Sequence, residues 1–155
     1  MRRRGAQHHG TGAAPDRTLI QGGPPVLLAA RCLAALTLAV VAVLFVTAGE
    51  LVQAGNLLEV HGGAAIALHV TTGLLTLTLA ALARQRGHGW GAAAVASALF
   101  AYSFLQAYLG EGATLAIHVP GALLVAGASV WLVFWLFTRQ RSAASASSSA
   151  PVRSS

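Results

Sequence analysis

Four long apolar segments alternate with short polar ones along this 155-residue chain. They cover residues 27–49, 57–83, 90–110 and 113–138. Each is close to or above the roughly 20 residues that a helix needs to cross the hydrocarbon core of a bilayer. Because backbone polar groups in lipid must be satisfied within their own segment, all four segments are predicted to be α-helices.

The connections between the apolar segments are short, at residues 51–56, 84–89 and 110–112. Short connections make consecutive helices antiparallel neighbours. The sequence therefore predicts an all-α integral membrane protein, an up-down four-helix bundle over residues 26–141. Residues 1–25, which are basic and contain Gly and Pro, and residues 142–155, which are mostly Ser and Ala, are predicted to be disordered tails.

The first apolar segment also raises the question of a cleaved signal peptide. Val46, Thr47 and Ala48 resemble a small-residue cleavage site. The apolar stretch before them is longer than the 7–15 residues of a typical signal peptide. We therefore expect the first span to remain part of the protein.

Composition separates this chain from soluble and from disordered proteins. Hydrophobic residues make up 55% of it and charged residues only 9%, whereas soluble domains carry about 25% charged residues. All basic residues are arginines, and the net charge is +6. In a soluble protein this excess would favour nucleic acid as a partner, but here the arginines flank apolar spans, so no nucleic-acid partner is expected.

The distribution of the arginines predicts an orientation. Arg2, Arg3, Arg4, Arg17 and Arg31 precede or open the first span, Arg84 and Arg86 connect the middle spans, and Arg139, Arg141 and Arg153 follow the last. All of them fall on one side of the predicted membrane. Under the positive-inside rule, both termini are cytoplasmic. We expect a multi-pass protein of a bacterial inner membrane, with the lipid bilayer, a redox or membrane-complex partner and a second copy of the chain as candidate partners.

Three histidines lie within the predicted spans, where ionisable residues are costly and mark function. His61 precedes Arg84 by 23 residues and His118 precedes Arg139 by 21. At 1.5 Å per residue these depths differ by about 3 Å, so both histidines are predicted near the outer surface. His69 lies eight residues deeper, and no other histidine shares its level.

Two histidines at equal depth on separate helices are typical of axial ligands to a b-type haem iron. The sequence thus predicts haem b between the second and fourth helices, with His61 and His118 as ligands. Small residues beside both histidines leave room for a flat macrocycle: Gly62, Gly63, Ala64, Ala65, Gly121 and Ala122. A weak internal repeat, in which Leu58–His61 aligns with Leu115–His118, supports the pairing.

Other polar residues of the spans have less specific predicted roles. Glu59 and Gln106 are candidates to orient the ligand histidines. Gln106 and Tyr102, one turn apart, also favour hydrogen bonds between helices. His69 is either a second ligand or a hydrogen-bonding link to a neighbouring helix.

A second hypothesis needs no cofactor. Intramembrane histidines can tie helices together by hydrogen bonds, and the chain would then be a non-catalytic interaction subunit.

Other kinds of site are excluded by the residues that the sequence lacks. Cys32 is the only cysteine, which excludes an internal disulfide and a multi-thiolate metal site. The sequence contains no GxSxG, P-loop or HExxH motif, so catalysis by the protein's own side chains is not expected.

Three short motifs resemble one half of a haem A synthase, or a small bacterial four-helix membrane family of the same pattern: Glu59-Val60-His61, Leu105–Gly110 and Ile117-His118-Val119. The resemblance covers about residues 41–141. It implies a four-helix bundle in which His61 and His118 match the haem-ligating histidines. Gly62 replaces the arginine that typically follows the first of these, and the outer-loop cysteine pair and the second bundle are missing. The resemblance therefore implies haem binding rather than haem A synthesis.

Overall fold

The chain forms four α-helices in a computed structural model that describes residues 24–110 and 114–148, with side chains from 25 to 110 and from 114 to 138. The helices are α1 (Pro24–Ala54), α2 (Leu58–Arg86), α3 (Trp90–Leu109) and α4 (Leu115–Ser148). All four are long and apolar enough to cross a membrane. Each contains one predicted span nearly whole, so the all-α prediction is confirmed.

The helices form a ring in chain order. α1 packs against α2 and α4, and α3 packs against α2 and α4, whereas the diagonal pairs barely meet. Short connections between antiparallel neighbours produce this arrangement. We name its two ends by their residues: the arginine end carries Arg31, Arg84 and Arg86, and the histidine end carries His61 and His118.

The core fills the centre of the ring with Leu and Ala. Its buried members include Ala30, Ala34, Leu75, Leu79, Ala96, Leu132 and Leu136. Two buried hydroxyl groups are satisfied within their own helices: Thr37 donates to the Leu33 carbonyl at 2.8 Å, and Ser129 donates to the Val125 carbonyl at 2.8 Å. The hydroxyl of Thr76 is also buried and has no hydrogen-bond partner among the described residues. The core is therefore mainly apolar, with a few buried polar groups.

Both helix boundaries of α2 use left-handed backbone. Leu57, which precedes α2, has φ 68° and ψ 21°, a conformation that non-glycine residues seldom adopt. Its carbonyl accepts the backbone N–H of His61 at 2.9 Å. Gly87, which follows α2, has φ 71° and adopts it without steric cost. The chain therefore enters the histidine-bearing helix through the more strained of the two turns.

α4 is longer than the sequence predicts. It continues to Ser148, into the segment from residue 142 that was expected to be a disordered tail. Alanine is the best helix former and recurs there, which accounts for the continuation. Residues 1–23 of the predicted 1–25 tail, residues 111–113, which include Glu111, and residues 149–155 lie outside the described residues.

Large apolar side chains cover the outside of the bundle. Leu77, Leu124 and Phe134 are each about two-thirds exposed. At the arginine end, Arg31 joins α1 to α4: its Nε donates to the Leu136 carbonyl at 3.2 Å, and its guanidinium lies 5.2 Å from the centre of the Phe137 ring. Four apolar helices with such outer faces have the form of a multi-pass membrane protein.

Candidate functional site

His61 and His118 occupy matching positions in the two halves of the bundle. Each is the fourth residue of its helix, α2 or α4. Both helices begin at the histidine end, on diagonal corners of the ring. Both histidines are partly buried. The aligned segments of the sequence repeat thus have the same place in each half.

His61 is held by a hydroxyl group of the neighbouring helix. Its Nδ1 lies 2.8 Å from Oγ1 of Thr47 on α1. Oγ1 also lies 2.9 Å from the Val43 carbonyl and 3.2 Å from the Leu44 carbonyl. Carbonyl oxygens only accept, so the hydroxyl donates its proton to the backbone. Thr47 therefore accepts from His61, whose proton is on Nδ1.

His118 is held by the backbone of α3. Its Nδ1 lies 3.0 Å from the carbonyl oxygen of Gln106. That carbonyl belongs to the last turn of α3 and also accepts the N–H of Gly110 at 3.1 Å. A carbonyl oxygen has two lone pairs, so it can accept from both groups. Because a carbonyl oxygen cannot donate, the proton of His118 is also on Nδ1.

Both rings consequently have the same tautomer. With Nδ1 protonated and held, Nε2 of each neutral imidazole carries a lone pair. Within the described part of the chain, neither Nε2 makes a hydrogen bond. Histidines that bind metals usually donate the other ring N–H to a protein acceptor, which fixes the tautomer and the orientation of the ring. The pair has this arrangement.

His69 has the same local pattern at a different level. Its Nδ1 lies 2.8 Å from Oγ of Ser103 on α3, and that hydroxyl donates to the Phe100 carbonyl at 2.7 Å. Its ring stacks on Phe104, with centroids 4.1 Å apart and planes 15° apart. His69 therefore links α2 to α3, and the described residues provide no second histidine at its level.

Gln106 contributes to this site in two ways. Its backbone carbonyl orients His118, as described above. Its side-chain amide is buried, and neither polar atom of it has a hydrogen-bond partner in the described structure. A methyl group added at Gly121 of α4 would stand 1.7 Å from the amide nitrogen and 2.6 Å from the Tyr102 hydroxyl. The amide fills the space that glycine leaves between α3 and α4, and it does not form the predicted interhelical hydrogen bond.

One of the two residues expected to orient the pair, Gln106, does so through its backbone carbonyl rather than its side chain, and the other does not. Glu59 is exposed and, among the described residues, makes no hydrogen bond or ion pair with His61. Thr47 has that role instead, and sequence reasoning missed it. One signal was present in the sequence: Thr47 and His61 lie at similar distances on either side of Gly55, as Gln106 and His118 do on either side of residues 111–113. Residues so placed meet in an antiparallel hairpin.

The site can be tested against the donor set that a haem requires. Haem iron takes its two axial ligands from the protein, and the pair offers two unprotonated nitrogens at one end of the bundle. The residues present thus fit a bis-histidine haem. Gly62 and Gly63 face open space beside His61. The apolar groove of about 400 Å³ nearby follows the α1–α2 seam, along Val43, Val60 and Gly63, rather than the diagonal between the histidines.

No protein-family model, no curated protein and no solved structure matches this chain. Within the described residues, no three His, Cys, Asp or Glu side chains form a group that could hold a metal ion. The function of the chain therefore has to be argued from its own residues.

Proposed function

We propose that this chain is a multi-pass membrane protein that binds one b-type haem between the histidine-end termini of α2 and α4. His61 and His118 are its axial ligands. The observation that carries the proposal is the shared tautomer of the two rings. Each Nδ1 donates to a protein acceptor, and each Nε2 is left with a lone pair at the same end of the bundle.

Membrane insertion is supported by length, apolarity and charge. Four helices are long and apolar enough to cross a bilayer, and large exposed side chains on their outer faces are apolar. All arginines flank the spans on one side. The positive-inside rule then makes both termini cytoplasmic, and the cell membrane of a bacterium is the proposed location.

The protein's own part in this function is to hold two imidazoles. Thr47 and the Gln106 carbonyl fix the protonated nitrogens. Gly62 and Gly63 leave open space beside His61 for a flat group to approach. A bound haem supplies one-electron redox chemistry. Electron transfer or haem handling is the proposed role, in agreement with the resemblance to one half of a haem A synthase.

A second candidate function is a membrane interaction subunit without a cofactor. One observation favours it: each intramembrane histidine joins two neighbouring helices, α1 with α2, α2 with α3 and α3 with α4. Hydrogen bonds of this kind stabilise membrane bundles by themselves. The two candidate functions differ in whether Nε2 of His61 and His118 ever binds iron.

An absorption spectrum of the full chain distinguishes these functions. The chain is expressed with adequate haem supply, purified in detergent and recorded oxidised and dithionite-reduced. We expect a Soret band with sharp reduced α and β bands, lost in His61→Ala and in His118→Ala. His69→Ala is the matched control, because it removes a histidine with the same local hydrogen bond, and it should keep the bands.

Two results would contradict the proposal. A folded, colourless protein that takes up no added haemin would reject the haem proposal. Loss of the bands in His69→Ala but not in His118→Ala would reject the ligand assignment. Circular dichroism of each variant checks that the helices are intact, so that loss of haem is not confused with unfolding.

A further inference from the structure

An apolar groove of about 420 Å³ opens on the outside of the α1–α2 seam at the arginine end. α1 contributes Pro25, Val26 and Ala29, and α2 contributes Leu77, Thr78 and Ala81. The Thr78 hydroxyl donates to the Leu74 carbonyl at 2.7 Å, so its polar group is satisfied within the helix. The groove therefore presents hydrocarbon surface, far from the histidine pair.

Arg84 stands at the end of this groove. It follows Leu77 by seven residues and Ala81 by three, which places all three on one face of α2. At 1.5 Å per residue, Arg84 lies about 4.5 Å beyond Ala81 along the helix axis. Its side chain is exposed. In the part of the chain that the structure describes, it has neither a hydrogen bond nor an ion pair.

The charges around the groove are one-sided. Arg31, the other arginine of this end on α1, is engaged with Leu136 and Phe137 of α4. The described carboxylates, Glu50 and Glu59, belong to the opposite end of the bundle. Within the described residues, no acidic group balances Arg84. A hydrocarbon groove that ends at an unpaired guanidinium complements a molecule with an apolar tail and an anionic head.

We infer that the groove binds one anionic phospholipid, with an acyl chain between α1 and α2 and the headgroup phosphate on Arg84. Charge favours this occupant over the chain's own N-terminal residues, which carry Arg2, Arg3, Arg4 and Arg17 against a single acid, Asp16. A second copy would also bring its arginine end to Arg84. The inference rests on the proposed membrane insertion and is independent of haem.

Native mass spectrometry of the full chain in detergent tests this inference. The protein is mixed with equal amounts of phosphatidylglycerol and phosphatidylcholine. We expect one bound phosphatidylglycerol in preference to phosphatidylcholine. Arg84→Gln should lower that binding about fivefold, as expected for one basic residue at an anionic headgroup. Ala81→Leu, which fills the groove without changing charge, should lower it as well.

Arg86→Gln is the matched control, since it removes the same charge two residues away on the opposite face of α2 and should leave binding unchanged. Equal losses in Arg84→Gln and Arg86→Gln, or equal binding of both lipids, would overturn the inference. So would stronger phosphatidylglycerol binding after deletion of residues 2–23, because that segment would then be the occupant. Extraction of the chain from membranes by alkaline carbonate would instead reject the proposed insertion.

Discussion

The two halves of the bundle fix their histidines with different atoms. In the α1–α2 half, the side-chain hydroxyl of Thr47 accepts a hydrogen bond from Nδ1 of His61. In the α3–α4 half, a backbone carbonyl, that of Gln106, accepts from His118. The tautomer is the same in both. A similar site can therefore be built twice from a weak repeat, provided that some acceptor stands opposite each Nδ1.

The seams beside the two histidines differ more strongly. Between α3 and α4, the space beside Gly121 is filled by the buried amide of Gln106 and borders the hydroxyl of Tyr102. Beside His61, a methyl group added at Gly63 would have no atom within 4 Å. The second half is thus tightly packed and carries an unsatisfied polar group, whereas the first half is open. Substitutions in each half can separate the effect of tight packing from that of the unsatisfied polar group.

Gly121→Ala should have the largest effect on stability. The new methyl group overlaps the Gln106 amide and crowds the Tyr102 hydroxyl, and overpacking of this kind costs about 2–3 kcal/mol. Unfolding of the purified chain in mixed micelles with increasing SDS measures the loss. Gly63→Ala is the control in the open half, where alanine should stabilise the helix by about 1 kcal/mol.

A double variant identifies the cause. If the amide is the obstacle, Gln106→Ala should remove most of the penalty of Gly121→Ala, because the two changes are coupled through one contact. Additive effects would show that Gly121 is required for another reason. A Gly121→Ala protein as stable as the unmodified chain would contradict the close packing of this seam.

Thr47→Val should have the next largest effect, and it should act on both stability and haem binding. Valine keeps the shape but removes the acceptor of His61, at a cost of about 2 kcal/mol for a partly buried N–H group left without it. Loss of a group that orients a metal ligand lowers affinity by about 10- to 100-fold. Haemin titration followed at the Soret band measures this loss.

Thr37→Val is the matched control for Thr47→Val. Thr37 is a buried threonine on the same helix whose hydroxyl bonds only to its own helix, so the affinity for haemin should not change. Thr47→Ser should retain the affinity for haemin that Thr47→Val loses, since serine keeps the hydroxyl. Equal affinities of the Thr47→Val and Thr37→Val proteins would show that Thr47 does not orient a ligand.

Gln106→Leu should have the smallest effect and the opposite sign. It removes a buried amide without partners while leaving the backbone carbonyl that orients His118. Replacing an unsatisfied buried polar group by an apolar one of similar shape should stabilise the chain by about 1 kcal/mol. Haemin affinity should stay the same, in contrast to Thr47→Val. A large loss of affinity would show that the amide itself serves the site.

The sequence predicts the four helices well because length and apolarity alone define them. It also predicts His61 and His118 as candidate ligands, since ionisable side chains are conspicuous in apolar spans. It does not identify their acceptors. Thr47 contacts His61 only because of how α1 and α2 are rotated about their axes, which apolar composition does not encode. The acceptor of His118 is a backbone carbonyl, a group that every residue possesses.

The unsatisfied amide of Gln106 could not be predicted for a related reason. A glutamine in an apolar span favours a hydrogen bond to a neighbouring helix. The nearest part of that helix is Gly121, which offers space but no side-chain partner. Only the packing of α3 against α4 decides between these outcomes.

The central claim is that His61 and His118 each present an unprotonated Nε2 to one iron. A ¹⁵N spectrum of the histidine-labelled chain, recorded before and after one equivalent of haemin and assigned with single-histidine variants, tests it most directly. The account predicts protonated Nδ1 and bare Nε2 at both residues, with haemin shifting the Nε2 signals of both and leaving His69 unchanged. Protonated Nε2 at either residue, or a shift at His69 alone, would contradict it.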